Sequence, residues 1–171
     1  MFAIIENKII TMLIQAGTAF TLNDIQYPAN WCSLATQQEK DFIGMVDVIY
    51  GEQANPQYYW VSENAPVYDA KKNIVNITFT NTPKDLPGLK ESSVSQVNAT
   101  AYSLLFPTDW MVVKAMETST TIPEDWNVWR QSIRITAAQT ATAINAAVDA
   151  DEIQTIMSSI AWANSPDQIE I

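Results

Sequence analysis

With 171 residues, a net charge of −10 and no histidine, this chain is sized for one domain or two small ones and is ill suited to bind nucleic acid, because its nine Lys and Arg form no cluster that would neutralise a phosphate backbone. The same charge disfavours an anionic membrane surface. Hydrophobic residues make up 47%, enough for a core, but charged residues only 16% against a usual ~25%, so Asn, Gln, Ser and Thr must carry much of the polar surface.

The start, "MFAIIENKIITMLIQ", lacks the basic and uninterrupted apolar regions of a signal peptide. No stretch approaches the ~20 apolar residues that span a bilayer, so a soluble protein is expected. Its first turn signal, Asn7-Lys8, separates two runs rich in strand formers and predicts a β-hairpin. The stretch from Gly17 to Trp31 reads as loop, punctuated by Gly, Asn and Pro. A cis bond at Tyr27-Pro28 is open, with trans the default. Cys32, between Trp31 and Ser33, is the single cysteine. It reads as a small buried hydrophobe, since a nucleophile would want a histidine beside it. Thr36-Gln37-Gln38-Glu39 has capping-box spacing and predicts a short helix stopping near Gly44.

"MVDVIY" and "YYWVS" read as strands. "NIVNITFT" alternates Val75, Ile77 and Phe79 against Asn76, Thr78 and Thr80. That predicts one antiparallel strand, half buried, with a partner near 66–68. The period changes after Thr82-Pro83. Leu86, Leu89, Val94, Val97, Ala101, Leu104 and Leu105 trace a helical stripe, with Thr82 as N-cap and Pro83 at the first helical position; Pro87 then falls in the first turn or so, or the helix starts a little later. Thr108 is placed to cap a second helix, "DWMVVKAMET". A long third helix over 123–148 carries Trp126, Trp129, Ile133, Ala137, Ala141, Ile144 and Val148 on one stripe. A short last helix follows "DADE", and the tail reads as loose apart from Trp162. The fold class is therefore α+β: a mainly antiparallel β-rich module over 1–82, then a helical module over 83–171 with one long helix.

Candidate chemistry is sparse. Without histidine there is no Ser-His-Asp or Cys-His set. Four glycines form no phosphate cradle. Asp149, Asp151 and Glu152 lack EF-hand spacing and read as acids favoured at a helix N-terminus. The expectation is no catalytic residue, no cofactor and no metal, although carboxylate pairs for acid–base work leave no trace in sequence. What stands out is Pro107–Arg134, "PTDWMVVKAMETSTTIPEDWNVWRQSIR", which holds Trp110, Trp126, Trp129 and both arginines, Arg130 and Arg134. The tryptophans read either as core or as a binding surface. One aromatic cluster of all three is expected, with at least one arginine paired to Asp109.

This segment resembles the C-terminal signature of tailed-bacteriophage tail assembly chaperones and tail-fibre assembly proteins. The matching residues are Thr108, Asp109 and Trp110, then Trp129, Arg130, Ile133 and Arg134. That family commonly has Tyr where Trp129 stands. "IQYPANWCSLATQQEK" and the "YYWV" strand are similar to a recurrent phage module. The resemblance implies a non-enzymatic protein that binds a tail or tail-fibre protein in the host cytoplasm during assembly. The alternative is a permanent virion component, such as a tail, fibre or baseplate adaptor. Either reading implies tail proteins as partners and a homo-oligomer or larger assembly, with neither nucleic acid nor membrane involved. Asp109, Trp110, Trp126, Trp129, Arg130 and Arg134 would serve as structural staple or partner site.

Overall fold

The structure, a computed structural model, describes residues 1–168. The chain divides into two compact units, one of residues 1–56 and 60–82 and one of residues 57–59 and 83–171. The first is built on β-strands and the second on helices.

The first unit begins with β1 (Phe2–Glu6) and β2 (Ile9–Ile14). Asn7 and Lys8 both have positive φ, 51° and 65°. That is the mirror-image two-residue turn whose twist matches a hairpin. The same device recurs at Asn23 and Asp24, φ 49° and 61°, joining β3 (Phe20–Leu22) to β4 (Ile25–Tyr27). This second hairpin lies where a loop is expected. Its strands are three residues each, too short to show an alternation, and ring contacts hold it. Phe20 stacks on Tyr27 with centroids 4.7 Å apart, and Trp31 meets both edge-on. All peptide bonds of the described residues are trans, Tyr27-Pro28 included.

A single turn of helix, α1 (Trp31–Leu34), leads to α2 (Gln37–Phe42). The capping box forms as expected. The Thr36 hydroxyl accepts from the Glu39 N–H, and the Glu39 carboxylate accepts from the Thr36 N–H at 2.7 Å. The Thr36 N–H foremost, and second the Thr36 hydroxyl, which also donates to Glu39 Oε2 at 2.8 Å, hold the Glu39 carboxyl below its ordinary value. A lowered carboxylate pKa favours the fold above the unfolded titration range and loses that contribution as pH falls through the folded value. Thr36→Ala is expected to move the Glu39 midpoint upward, towards an ordinary glutamate, in an NMR titration of the side chain.

Helix α2 leads into β5 (Met45–Tyr50) through Gly44. Gly44 has φ 69°, and a Cβ there would meet the Ile5 carbonyl oxygen at 2.6 Å. That oxygen belongs to backbone, and the Ile5 N–H donates to Gly44 O at 2.8 Å, so neither side gives way cheaply. Gly44→Ala is expected to cost about 2–3 kcal/mol, from left-handed strain plus overlap. Gly17 also has positive φ but nothing within 4 Å of a Cβ. Gly17→Ala should cost distinctly less in the same denaturant melts.

The remaining strands are β6 (Tyr59–Glu63), β7 (Val67–Asp69), β8 (Ile74–Ile77) and β9 (Phe79–Pro83). Five strands form a sheet in the order β2-β1-β5-β8-β7. It is antiparallel except for the parallel pair β5–β8. Residue neighbours in β1 point to opposite faces: Ala3 packs with Val46, Val48, Val75 and Ile77, and Ile4 packs with Ile14, Phe20, Cys32 and Met45. The sheet thus has apolar packing on both sides, and Cys32 is a buried free thiol within it. The outer strands β2 and β7 approach within 8 Å between Cα atoms. A cleft of about 680 Å³ follows that seam, lined by residues 8–13 and 66–68.

The expected single strand "NIVNITFT" is two strands. β8 lies between β5 and β7, pairing Val75 with Tyr68 in the expected partner segment, but also running parallel to β5. After Thr78 the chain leaves that sheet, and β9 pairs with β6. The alternation of side chains continues through the break, because period two reports faces and not backbone partners.

The helical unit opens with α3 (Leu86–Leu105). Its N-cap is Asp85, whose carboxylate accepts from the Gly88 N–H at 2.9 Å, and not Thr82, which with Pro83 belongs to β9. Pro87 sits in the first turn, where its missing N–H has no partner to lose. A 3₁₀ turn over Phe106–Thr108 joins α3 to α4 (Asp109–Thr118), and α5 (Glu124–Ala146) follows. Helix α5 has 23 residues, roughly 35 Å at 1.5 Å each. Val97, Ala101, Trp129, Ile133, Ala137 and Ile144 form one core between α3 and α5. The stripe fails at its last member: α5 ends at Ala146, so Val148 is 72% exposed and Ala147 is buried in its place.

A last helix, α6 (Ala150–Ser158), starts with a reciprocal cap. Asp149 accepts from the Glu152 N–H, and Glu152 accepts from the Val148 N–H, both at 2.8 Å. Asp151 instead accepts the Tyr59 hydroxyl at 2.5 Å. That bond first, then burial and the Asp151 and Asp149 charges, push the Tyr59 hydroxyl up to about 12. The three acids thus serve the helix start and a tyrosine, and no group of side chains suited to a metal ion occurs among the described residues. Trp162 packs against the α3–α5 core, and a 3₁₀ turn covers Pro166–Gln168. Among the described residues no helix is long and apolar enough to cross a membrane.

Candidate interaction site

Three of the signature residues, Thr108, Asp109 and Arg130, meet at the corner between α3 and α4. Arg130 projects from α5 and is only 3% exposed. Its Nη1 donates to the Leu105 carbonyl at 3.0 Å and to the Thr108 hydroxyl. Its Nη2 donates to Asp109 Oδ1 at 2.7 Å. The Thr108 hydroxyl in turn donates to Leu105 O at 2.7 Å. A planar guanidinium fork spans this corner in a way that a lysine ammonium would not. The expected pairing of an arginine with Asp109 is therefore present, and Arg130 makes it. Arg134, four residues on, is exposed and forms no ion pair among the described residues. Thr108 sits at the N-cap position of α4 but makes no side-chain cap; its hydroxyl is used by Arg130 and Leu105.

Two of the three tryptophans meet. Trp126 and Trp129 lie one turn apart on α5, edge to face at 5.5 Å, the geometry that the ring quadrupoles favour. Trp129 is buried, and its Nε1 donates to the Ala163 carbonyl at 2.9 Å. Trp126 is half-buried. Trp110 does not complete the expected cluster of three: it is 57% exposed, with Lys114 Nζ 5.8 Å from its ring centroid. The reason is the phase of α4, whose half-buried positions are Asp109, Met111, Val112 and Ala115. No residue of α4 is fully buried, and Val113 and Met116 stand exposed beside Trp110.

The clamp across this corner is thus made by Arg130 and not by stacked indoles. Between the elements lies a cleft of about 420 Å³, lined by Trp110, Met111, Trp126, Trp129 and Asp167 among others. A second, of about 170 Å³, opens between α4 and the residues 120–123 that follow it. Trp110 walls both. Sequence reasoning did not find the Leu105 and Ala163 carbonyls, because backbone acceptors carry no residue signature. Nor did it single out Met111 or Asp167, which become cleft residues only through folding.

Nothing among protein-family models, curated proteins or solved structures matches this chain. The corner stands on its geometry: a buried arginine bonded to three groups around the junction of two helices, with an exposed aromatic and methionine face on the shorter one.

Proposed function

We propose that this chain is a non-enzymatic bacteriophage assembly protein that binds a tail or tail-fibre structural protein. The observation that carries this reading is α4, a helix that contributes Trp110, Val113 and Met116 to its exposed face and has no fully buried residue. Large apolar side chains grouped in this way mark interaction surfaces, and Trp is the residue most enriched among interface hot spots. The resemblance of Thr108–Trp110 and Trp129–Arg134 to the tail-assembly signature supplies the class of partner. On this reading Arg130 and Asp109 hold the face in shape while Trp110 meets the client. The protein acts in the host cytoplasm, within a homo-oligomer or a larger complex with its client.

The test is co-expression with the tail and tail-fibre proteins of the same phage, followed by affinity capture and by mass spectrometry of purified particles. Capture of one such protein, with the chain itself absent from particles, is the expected result. Stoichiometric presence in particles would instead assign a permanent adaptor. Capture of none of them would defeat the proposal.

A further inference from the structure

The cleft beside Trp110 has a charge character that specifies more than apolar contact. Its aromatic wall is Trp110, Trp126 and Trp129, and the charged side chain in its lining is the carboxylate of Asp167. Among the described residues no lysine or arginine lines it. Arg130 lies nearby but is buried and already bonded to Leu105, Thr108 and Asp109. Indole faces attract cations, most strongly where water is partly excluded. The smaller cleft shows the same chemistry satisfied from within: Lys114, which lines it, sits over the Trp110 ring. The larger cleft has the aromatic wall and a carboxylate but no cation of its own.

We infer that the larger cleft accepts a cationic side chain, an arginine or lysine of a bound polypeptide segment, against Trp110 and Trp126 and paired with Asp167. This rests on the reading of the α4 face as a partner surface. Acids outnumber cations in the surroundings, where Lys114 at the Trp110 ring and Arg130 at Asp109 offset part of their charge. Asp109, beside Trp110, keeps its side chain 49% exposed although one oxygen is taken by Arg130, and Glu124 and Asp125 occupy the first turn of α5 just before Trp126. A cationic segment of a partner suits the cleft better than a second copy of this chain, whose net charge is −10; a homo-oligomer would form through another face.

The experiment uses the full chain, ¹⁵N-labelled, with its tryptophan indole N–H resonances followed by NMR. The probes are three capped tripeptides, Gly-Xaa-Gly, with arginine, citrulline or glutamate at the centre. Citrulline keeps the shape of arginine and removes its charge. The arginine peptide should shift the Trp110 and Trp126 resonances and bind about tenfold more tightly than the citrulline peptide, the factor that ~1.4 kcal/mol of cation–π and ion-pair energy provides. The glutamate peptide should leave both resonances in place. Asp167→Asn and Trp110→Ala, both at exposed positions, should melt like the parent and each weaken the arginine peptide. Equal binding of the citrulline peptide would show a plain apolar slot and overturn the inference. So would an arginine effect unchanged in both variants, which would mean diffuse attraction to an acidic protein. Indole shifts that vanish on dilution, with dimer seen by sedimentation, would assign the cleft to a second copy and overturn it as well. Failure of the functional reading remains distinguishable. Tail-protein capture that survives Asp167→Asn sinks the cation site alone, and arginine binding by a chain that captures no tail protein sinks the function alone.

Discussion

Asp109→Ala is expected to destabilise the helical unit by about 3 kcal/mol, more than its own half-exposed position suggests. The cost does not come from the lost carboxylate. It comes from Arg130, which is left 3% exposed with its charge uncompensated, and stranding one member of a buried pair costs ~3–5 kcal/mol. The lower end applies because Nη1 keeps its bonds to Leu105 and Thr108 and because water reaches the vacated, half-exposed site. Arg130→Met removes the charge and keeps most of the stem volume. It should cost less than Asp109→Ala, chiefly the two hydrogen bonds lost at Leu105 O and Thr108, at ~0.5–1.5 kcal/mol each, because those two groups still bond each other. The double variant should then be more stable than the sum of the two single losses predicts. Urea unfolding of all three, read by tryptophan fluorescence, measures that coupling. Simple additivity, or a cost below about 1 kcal/mol for Asp109→Ala, would mean that the pair is a surface ornament and the corner is held by packing alone.

Trp129→Ala should cost a comparable ~3–5 kcal/mol, the range for deleting a large core aromatic. Its ring is 7% exposed, belongs to the same core as Val97 and Ile133, and anchors the Ala163 carbonyl through Nε1. Trp126→Ala should cost an intermediate amount, since that ring is half-buried and loses its edge-to-face contact. Trp110→Ala should leave the melt nearly unchanged, because surface substitutions away from special features stay within ~0.5 kcal/mol. It should instead weaken partner binding, where a central aromatic is worth ~2 kcal/mol or more. Thermal melts of the three variants rank these roles directly. If Trp110→Ala falls as far as Trp129→Ala, Trp110 is core and the exposed-face argument for α4 collapses.

Much of the first unit was legible because its signals are local. Asn7-Lys8 and the Thr36–Glu39 box each specify a backbone conformation within four residues, through positive φ or a reciprocal cap. The second hairpin was missed although Asn23-Asp24 uses the same turn. Three-residue strands show no period, and the Phe20–Tyr27–Trp31 contacts that hold them are tertiary. Thr82 and Asp85 show the converse. Both are good caps by type, but Thr82 was already committed to the β9 strand, so Asp85 became the one that works.

The amino-acid sequence alone determined the succession of a β-rich part and a helical part, the change from period two to period 3.6 near Thr82, the inward stripe of α5 up to Ile144, and the approach of Asp109 to an arginine. These follow from side-chain spacing on regular backbones, which is a property of the chain itself. Only the tertiary structure decided that "NIVNITFT" serves two sheets, that β5 and β8 run parallel, that Arg130 and not Arg134 is buried, and that Trp110 faces outward while Trp129 faces in. Each of those depends on which surface lies opposite a residue. Alternation and helical stripes define a face, but partners, backbone acceptors such as Leu105 O and Ala163 O, and the sign of a cleft arise only when distant segments pack together.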